Sequence, residues 1–217
     1  MRTLASEYQL AINKGSRVSL YMAGLPNNIE KILLEKGSTF INRAKKVNLS
    51  DLKLEDVKDS YLKAFQKQIK CQKISKETVI KSAELTEGYA YLVQLMGYYL
   101  WENLVDFDMI DEASFESALI SSKEDLFQKV HNVIFGELAT QPKAFLIAMA
   151  KDNAVTKVSD LQIRMNQTKG YINQYRTRLK NFGLIEVVGH GLIRYTLPFM
   201  KEFLENYYED VNDWEYD

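Results

Sequence analysis

The chain is poor in the residues that build disulfides and metal sites: among 217 residues there is one cysteine, Cys71, and there are two histidines, His131 and His190. A lone cysteine cannot close an intrachain disulfide, which fits a reducing, cytoplasmic setting, and two histidines argue against a zinc site, so no metal is expected. Long apolar runs are also missing. The stretch Phe145 to Ala150 falls far short of the roughly 20 residues that a bilayer span needs, and the first residues lack a charged-then-apolar signal pattern, so no membrane partner is expected. No Gly-Lys-Ser or Gly-Lys-Thr tripeptide occurs; Lys14-Gly15-Ser16 and Lys36-Gly37-Ser38 have the wrong order and no glycine frame upstream. A phosphate-binding loop needs that frame to bring backbone N–H groups to the phosphates, with the Lys for charge and the hydroxyl for magnesium. No Ser, Cys or paired-carboxylate constellation stands at a spacing that supports an independent hydrolase.

What is present is core-forming material, with 46% apolar residues, enough for one large domain or two small ones. The formal net charge of −1 hides an uneven distribution. From Thr156 to Thr196 there are seven Lys or Arg against two acids, whereas Glu202 to Asp217 holds seven acids and no base. Such asymmetry points to a basic contact surface followed by an acidic tail, with two ordinary solvated faces as the alternative.

The strongest local pattern lies between Leu138 and Tyr208, where the order helix, helix, helix, hairpin, helix predicts a winged helix-turn-helix. Lys143 to Lys151 carries Ala144, Phe145, Ile147, Ala148 and Met149 as an apolar first helix. Ser159 is the expected N-cap of a second helix running to Met165, and Asn166-Gln167-Thr168 supplies the turn and the cap of a third. In that third helix Ile172, Tyr175, Leu179 and Phe182 share one face by steps of three and four. Lys169, Asn173, Arg176 and Lys180 recur at the same steps, roughly 110° around at about 100° per residue. A basic stripe beside a core stripe suits a recognition helix, with the cations on phosphates and Asn173 toward a base edge. Gly183 is the expected stop. Leu184 to Val188 and Leu192 to Thr196 flank Gly189-His190-Gly191 as a hairpin, the wing, whose His190 and Arg194 are candidates for backbone or minor-groove contact. Pro198 is expected in the first turn of a last helix that buries Phe199, Phe203 and Leu204.

Upstream, Leu54 to Ile69 and Ser75 or Lys76 to Thr86 read as amphipathic helices, and Gly88 opens a long apolar helix reaching at least Trp101. The run Thr86-Glu87-Gly88-Tyr89-Ala90-Tyr91-Leu92-Val93-Gln94-Leu95-Met96-Gly97 resembles the Thr-x-Gly-Tyr-Pro-Tyr-Leu-x-Gln-x-x-Gly pattern of the helical lid in prokaryotic AAA+ ATPases related to the archaeal replication initiators. Ala90 stands where that family usually has Pro, and residues 90–92 offer no cation for its sensor-2 role. The front agrees in order. A helical Leu4 to Ile12 and a β-rich Arg17 to Ala23 resemble the sensor-1 strand and the helix before it, with Asn27 or Asn28 in the place of the polar nucleotide sensor. Thr39 to Ala44, followed by Val47-Asn48-Leu49, resembles the segment carrying the arginine finger, and Arg43 matches that catalytic residue. Lys46 to Leu49 is then a core strand.

The resemblance implies a mainly α chain made of an α/β core remnant (residues 1–49), a helical lid with connecting helices (50–137), a winged helix (138–208) and an acidic tail (209–217). It implies a C-terminal fragment, split product or degenerate relative of such an ATPase. This chain alone then needs no cofactor and hydrolyses no ATP, since ATP and magnesium belong to an intact family member. The expected partners are double-stranded DNA and either the missing ATPase half or further copies of the chain. The alternative is a regulatory module in which the winged helix docks a partner protein.

Overall fold

The computed structural model describes residues 2–22, 43–45 and 51–210. The described chain is mainly helical, with one small antiparallel sheet. It begins with α1 (Arg2–Asn13), the helix expected over residues 4–12. The expected strand over 17–23 is not formed in its described part: residues 16–22 have no regular structure, and Val18 and Tyr21 are exposed. A strand of a parallel sheet needs a paired neighbour on each side, and no described strand lies beside these residues. The expected strand over 46–49 lies outside the described residues.

Four helices then build the first packed unit: α2 (Leu54–Ala64), α3 (Gln66–Lys70), α4 (Lys76–Leu85) and α5 (Ala90–Phe107). Ser75 caps α4 by accepting the Thr78 N–H at 2.9 Å, which satisfies one of the N–H groups a helix start leaves open. The turn from α4 into α5 explains its own sequence. Buried Thr86 donates its hydroxyl to the Ala83 carbonyl and accepts the Gly88 N–H. Gly88 takes φ +80, and a Cβ there would stand 2.2 Å from the Leu52 carbonyl oxygen. Only glycine fits that approach.

Sequence patterning did not single out the next helix, α6 (Glu112–Leu126), which packs along α5. Its inward positions are Phe115, Ala118, Ser122 and Leu126, so two of four are small and the apolar contrast is weak. The usable signal was Asp111, whose carboxylate accepts the Ser114 N–H at 2.8 Å and marks the start. Val57, Tyr61, Phe65, Val79, Met96, Leu100 and Phe115 form this unit's core. Each such side chain contributes about 1.5–3 kcal/mol on full burial.

A π-helical turn (Phe127–His131) and α7 (Asn132–Gly136) continue α6 into the second packed unit. There follow α8 (Thr140–Met149), β1 (Thr156–Lys157), α9 (Val158–Arg164), α10 (Lys169–Asn181), β2 (Ile185–Gly189), β3 (Leu192–Tyr195) and α11 (Met200–Asp210). The sheet order is β1-β3-β2, with Thr156 opposite Ile193 and Val187 opposite Ile193 on the other side. Phe145, Leu146, Met149, Leu161, Ile172, Leu179, Ile185, Ile193, Phe203 and Leu204 are its core.

Several expected boundaries shift: the helix expected over 143–151 runs from Thr140 to Met149, and the one expected over 54–69 is divided at Phe65. Ser159 does not cap α9: the helix begins at Val158 after Lys157, because Val158 is buried in the core and its N–H is held by the Gly191 carbonyl at 2.9 Å. Pro198 lies ahead of α11 rather than in its first turn, since Phe199 takes φ +57 and the helix opens only at Met200. That left-handed conformation costs a bulky residue about 1–2 kcal/mol. The Phe199 ring packs against Leu92, Leu95 and Leu126, a small cluster between the two units. Lys123 Nζ sits 4.6 Å over the same ring and pairs with Glu202 at 2.8 Å, so α6 and α11 are held together.

Candidate nucleic-acid interface

The candidate interface is built on α10. Thr168 caps it, its hydroxyl oxygen accepting the Tyr171 N–H at 3.3 Å. Ile172 and Leu179 are fully buried and anchor it, while Tyr175 and Phe182 are half-buried at the margin of the same face. Its end is a Schellman arrangement: Gly183 N–H donates to Lys180 O at 2.9 Å, Leu184 N–H to Leu179 O at 3.0 Å, and Gly183 takes φ +71. Buried Leu184 closes the turn against the core, as this motif requires. The helix is therefore fixed at both ends and along one face, and its other faces are presented rigidly.

The C-terminal end of α9 is tied down as well. Arg164 makes two bonds to the Asp152 carboxylate, 2.9 and 3.0 Å, and a further one to the Ala148 carbonyl. The Arg164 hydrogen bonds hold the Asp152 carboxyl below its usual range. This arginine is used up in structure and is not part of the contact surface.

The stripe falls on the helix as the spacing predicts. Lys169 and Lys180 are exposed, and Asn173 and Arg176 are half-exposed. Among the described residues none of Lys169, Arg176 and Lys180 is in an ion pair. From Leu161 to Ile185 the sequence has no Asp or Glu, so α10 itself brings no carboxylate to repel an anionic partner.

The hairpin places its two candidates differently. His190 is exposed at the tip, where Gly191 takes φ +68 and the register slips between Val187 and Gly189. Arg194 is exposed on β3, but its Nε donates to Glu186 on β2 at 2.6 Å. An approaching phosphate would compete with that carboxylate, so Arg194 is the weakest cation of the set.

Of the nucleotide-sensing candidates only Arg43 lies among the described residues. Arg43 is exposed, and among the described residues it has no hydrogen bond or ion pair. Asn27 and Asn28 lie outside the described residues.

Sequence reasoning passed over three residues on α10. At about 100° per residue, the arc opposite the buried face is held by Gln174, Thr177 and Asn181, all exposed, with Gly170 beside them. They are neutral, and a search for cations does not find them; the signal was the centre of the outward arc, not its charge.

Residues 128–204 match a family described as a domain of unknown function, DUF8462. The matched stretch runs from the π-helical turn to the middle of α11 and so contains α10 and the sheet. Neither the curated proteins nor the solved structures contain a match to the chain. No helix among the described residues is long and apolar enough to cross a membrane.

Proposed function

We propose that residues 138–208 form a winged helix that binds duplex DNA, with α10 in the major groove and the β2–β3 hairpin against the backbone. The observation that carries this reading is the stripe of Lys169, Arg176 and Lys180, exposed or half-exposed, in no ion pair among the described residues, on a helix without a carboxylate. A helix pinned along one face and cationic beside it suits backbone neutralisation, the main source of affinity for nucleic acid. The order helix, strand, helix, helix, hairpin supports the same reading.

The likeness of Thr86 to Gly97 to an AAA+ lid belongs to this proposal. The turn made by Thr86 and Gly88 supports that likeness, and the pairing of Lys123 with Glu202 supplies a contact between α6 and α11 through which a lid and a winged helix would be joined. In this reading the chain is the DNA-binding and lid part of an ATPase system and does not hydrolyse ATP by itself. ATP and magnesium are handled by a separate ATPase half or an intact relative, and Arg43, Asn27 and Asn28 act only beside such a nucleotide site. Binding is expected inside the cell.

The test is a titration of fluorescent duplex DNA at low salt. Arg176→Glu with Lys180→Glu is expected to weaken binding by well over about tenfold, or 1.4 kcal/mol. Lys180 is exposed and Arg176 half-exposed, and neither is in an ion pair among the described residues, so the fold is expected to be kept, as circular dichroism would verify. One observation favours a second reading, protein docking: Val187 and Val188 are exposed on β2 beside the mutually neutralised Glu186 and Arg194. Equal affinity of the double variant and the wild type would transfer the case to that reading.

A further inference from the structure

The outward face of α10 is sorted by chemistry. Lys169, Arg176 and Lys180 lie along one edge, within an arc of about 40°. Arg178 lies on the opposite edge, its guanidinium 5.4 Å over the Phe182 ring, which holds it back against the helix end. Between the two edges, across about 100° of arc, stand Asn173, Thr177, Gly170, Asn181 and Gln174, with no charge among them. Gly170 leaves open space where a Cβ would be, so the helix backbone can come close to whatever it faces.

Thr177 is further specified by a hydrogen bond. Its hydroxyl donates to the Asn173 carbonyl at 2.9 Å. With its proton committed to the helix, the side chain offers outward a methyl group and oxygen lone pairs.

Each base pair shows a different pattern in the major groove. Guanine is read best by Arg or Lys and cytosine by a carboxylate, whereas Asn and Gln pair with the N6 and N7 of adenine, and apolar groups meet the thymine methyl. The central arc of α10 has three amides and a methyl, and neither a cation nor a carboxylate. Resting on the DNA-binding reading above, we infer that α10 selects A·T-rich duplex, with Gln174, Asn181 and Asn173 on adenine edges and Thr177 on a thymine methyl, while the flanking cations hold phosphates. Sequence preference and affinity are thus carried by different residues of one helix.

The experiment is titration of the full chain, at one salt concentration, with two duplexes of equal length whose central bases are all A·T or all G·C. Wild type is expected to favour the A·T duplex by about tenfold or more, the size of one lost bidentate contact. Gln174→Ala with Asn181→Ala should bring the two affinities to within about twofold of each other, whereas Lys180→Gln should weaken both duplexes and keep their ratio. Replacing thymine by deoxyuridine, which deletes only the methyl, should weaken wild type but not Thr177→Ser, which keeps the hydroxyl bond to Asn173. Equal binding of both duplexes, or preference for G·C, overturns the inference and leaves the DNA-binding reading standing. Absence of binding to either duplex at low salt overturns both.

Discussion

The His131 ring nitrogen Nε2 lies 3.0 Å from the carbonyl oxygen of Pro198, 67 residues further along the chain. The other nitrogen, Nδ1, lies 3.2 Å from the Leu126 carbonyl. A neutral imidazole has one N–H and can satisfy one of these acceptors; the imidazolium would satisfy both. The ring is buried and packs edge-on against Phe127 and at a tilt against Phe203. Burial outweighs the two carbonyls and lowers the His131 pKa below its ordinary 6.5.

The sign of the pH dependence follows. The unfolded chain takes up a proton at this residue near pH 6.5, where the folded chain does not, so stability is fully present above that pH and declines as pH falls toward the folded-state pKa. Urea unfolding between about pH 7.5 and pH 5.5 should show this decline, and His131→Gln should flatten it. An unchanged slope in the variant would assign the effect to other groups. The substitution also removes a buried ring and is expected to cost about 2–4 kcal/mol at neutral pH.

Two glycines should respond oppositely to the same change. Gly88→Ala forces a Cβ against the Leu52 carbonyl at 2.2 Å in a φ +80 conformation, and a loss of about 2 kcal/mol or more is expected. Gly97 lies inside α5, and the nearest atom to a Cβ there is the Tyr61 hydroxyl oxygen at 3.6 Å, an ordinary contact, so Gly97→Ala should stabilise by about 0.5–1 kcal/mol through helix propensity. Thermal melts of the two variants measure both. A stable Gly88→Ala protein would refute the close approach of residue 52.

Much of the C-terminal unit is legible in sequence because its helices and strands are specified locally. Ile172 and Leu179 recur at helical spacing, Thr168 caps, Gly183 ends the helix, and each meets its expected role. The stripe was legible for the same reason. The contacts that join the two units were not, because Lys123 and Glu202 are 79 residues apart and neither carries a local signature. The turn at Phe199 was misread as a proline-started helix, since nothing near Pro198 announces a bulky residue in the left-handed region. Helix α6 was passed over because Ala118 and Ser122 fill its buried face with little hydrophobicity.

Steady-state phosphate release with ATP and magnesium should give no turnover for the purified chain, because no stretch of its sequence has the glycine frame, Lys and hydroxyl of a phosphate-binding loop. Arg43→Ala should leave that null rate unchanged. Turnover that survives gel filtration and is lost in Arg43→Ala would place a nucleotide site in this chain.

The most direct measurement is the salt dependence of duplex binding. Neutralising phosphates releases counterions at a slope of about −0.9 per contact, so the three cations Lys169, Arg176 and Lys180 predict a slope of about −3 in log affinity against log salt. Lys180→Gln should reduce its magnitude by about one. A slope near zero, or one that Lys180→Gln and Arg176→Gln leave unchanged, would contradict the assignment of α10 as the DNA-contacting helix.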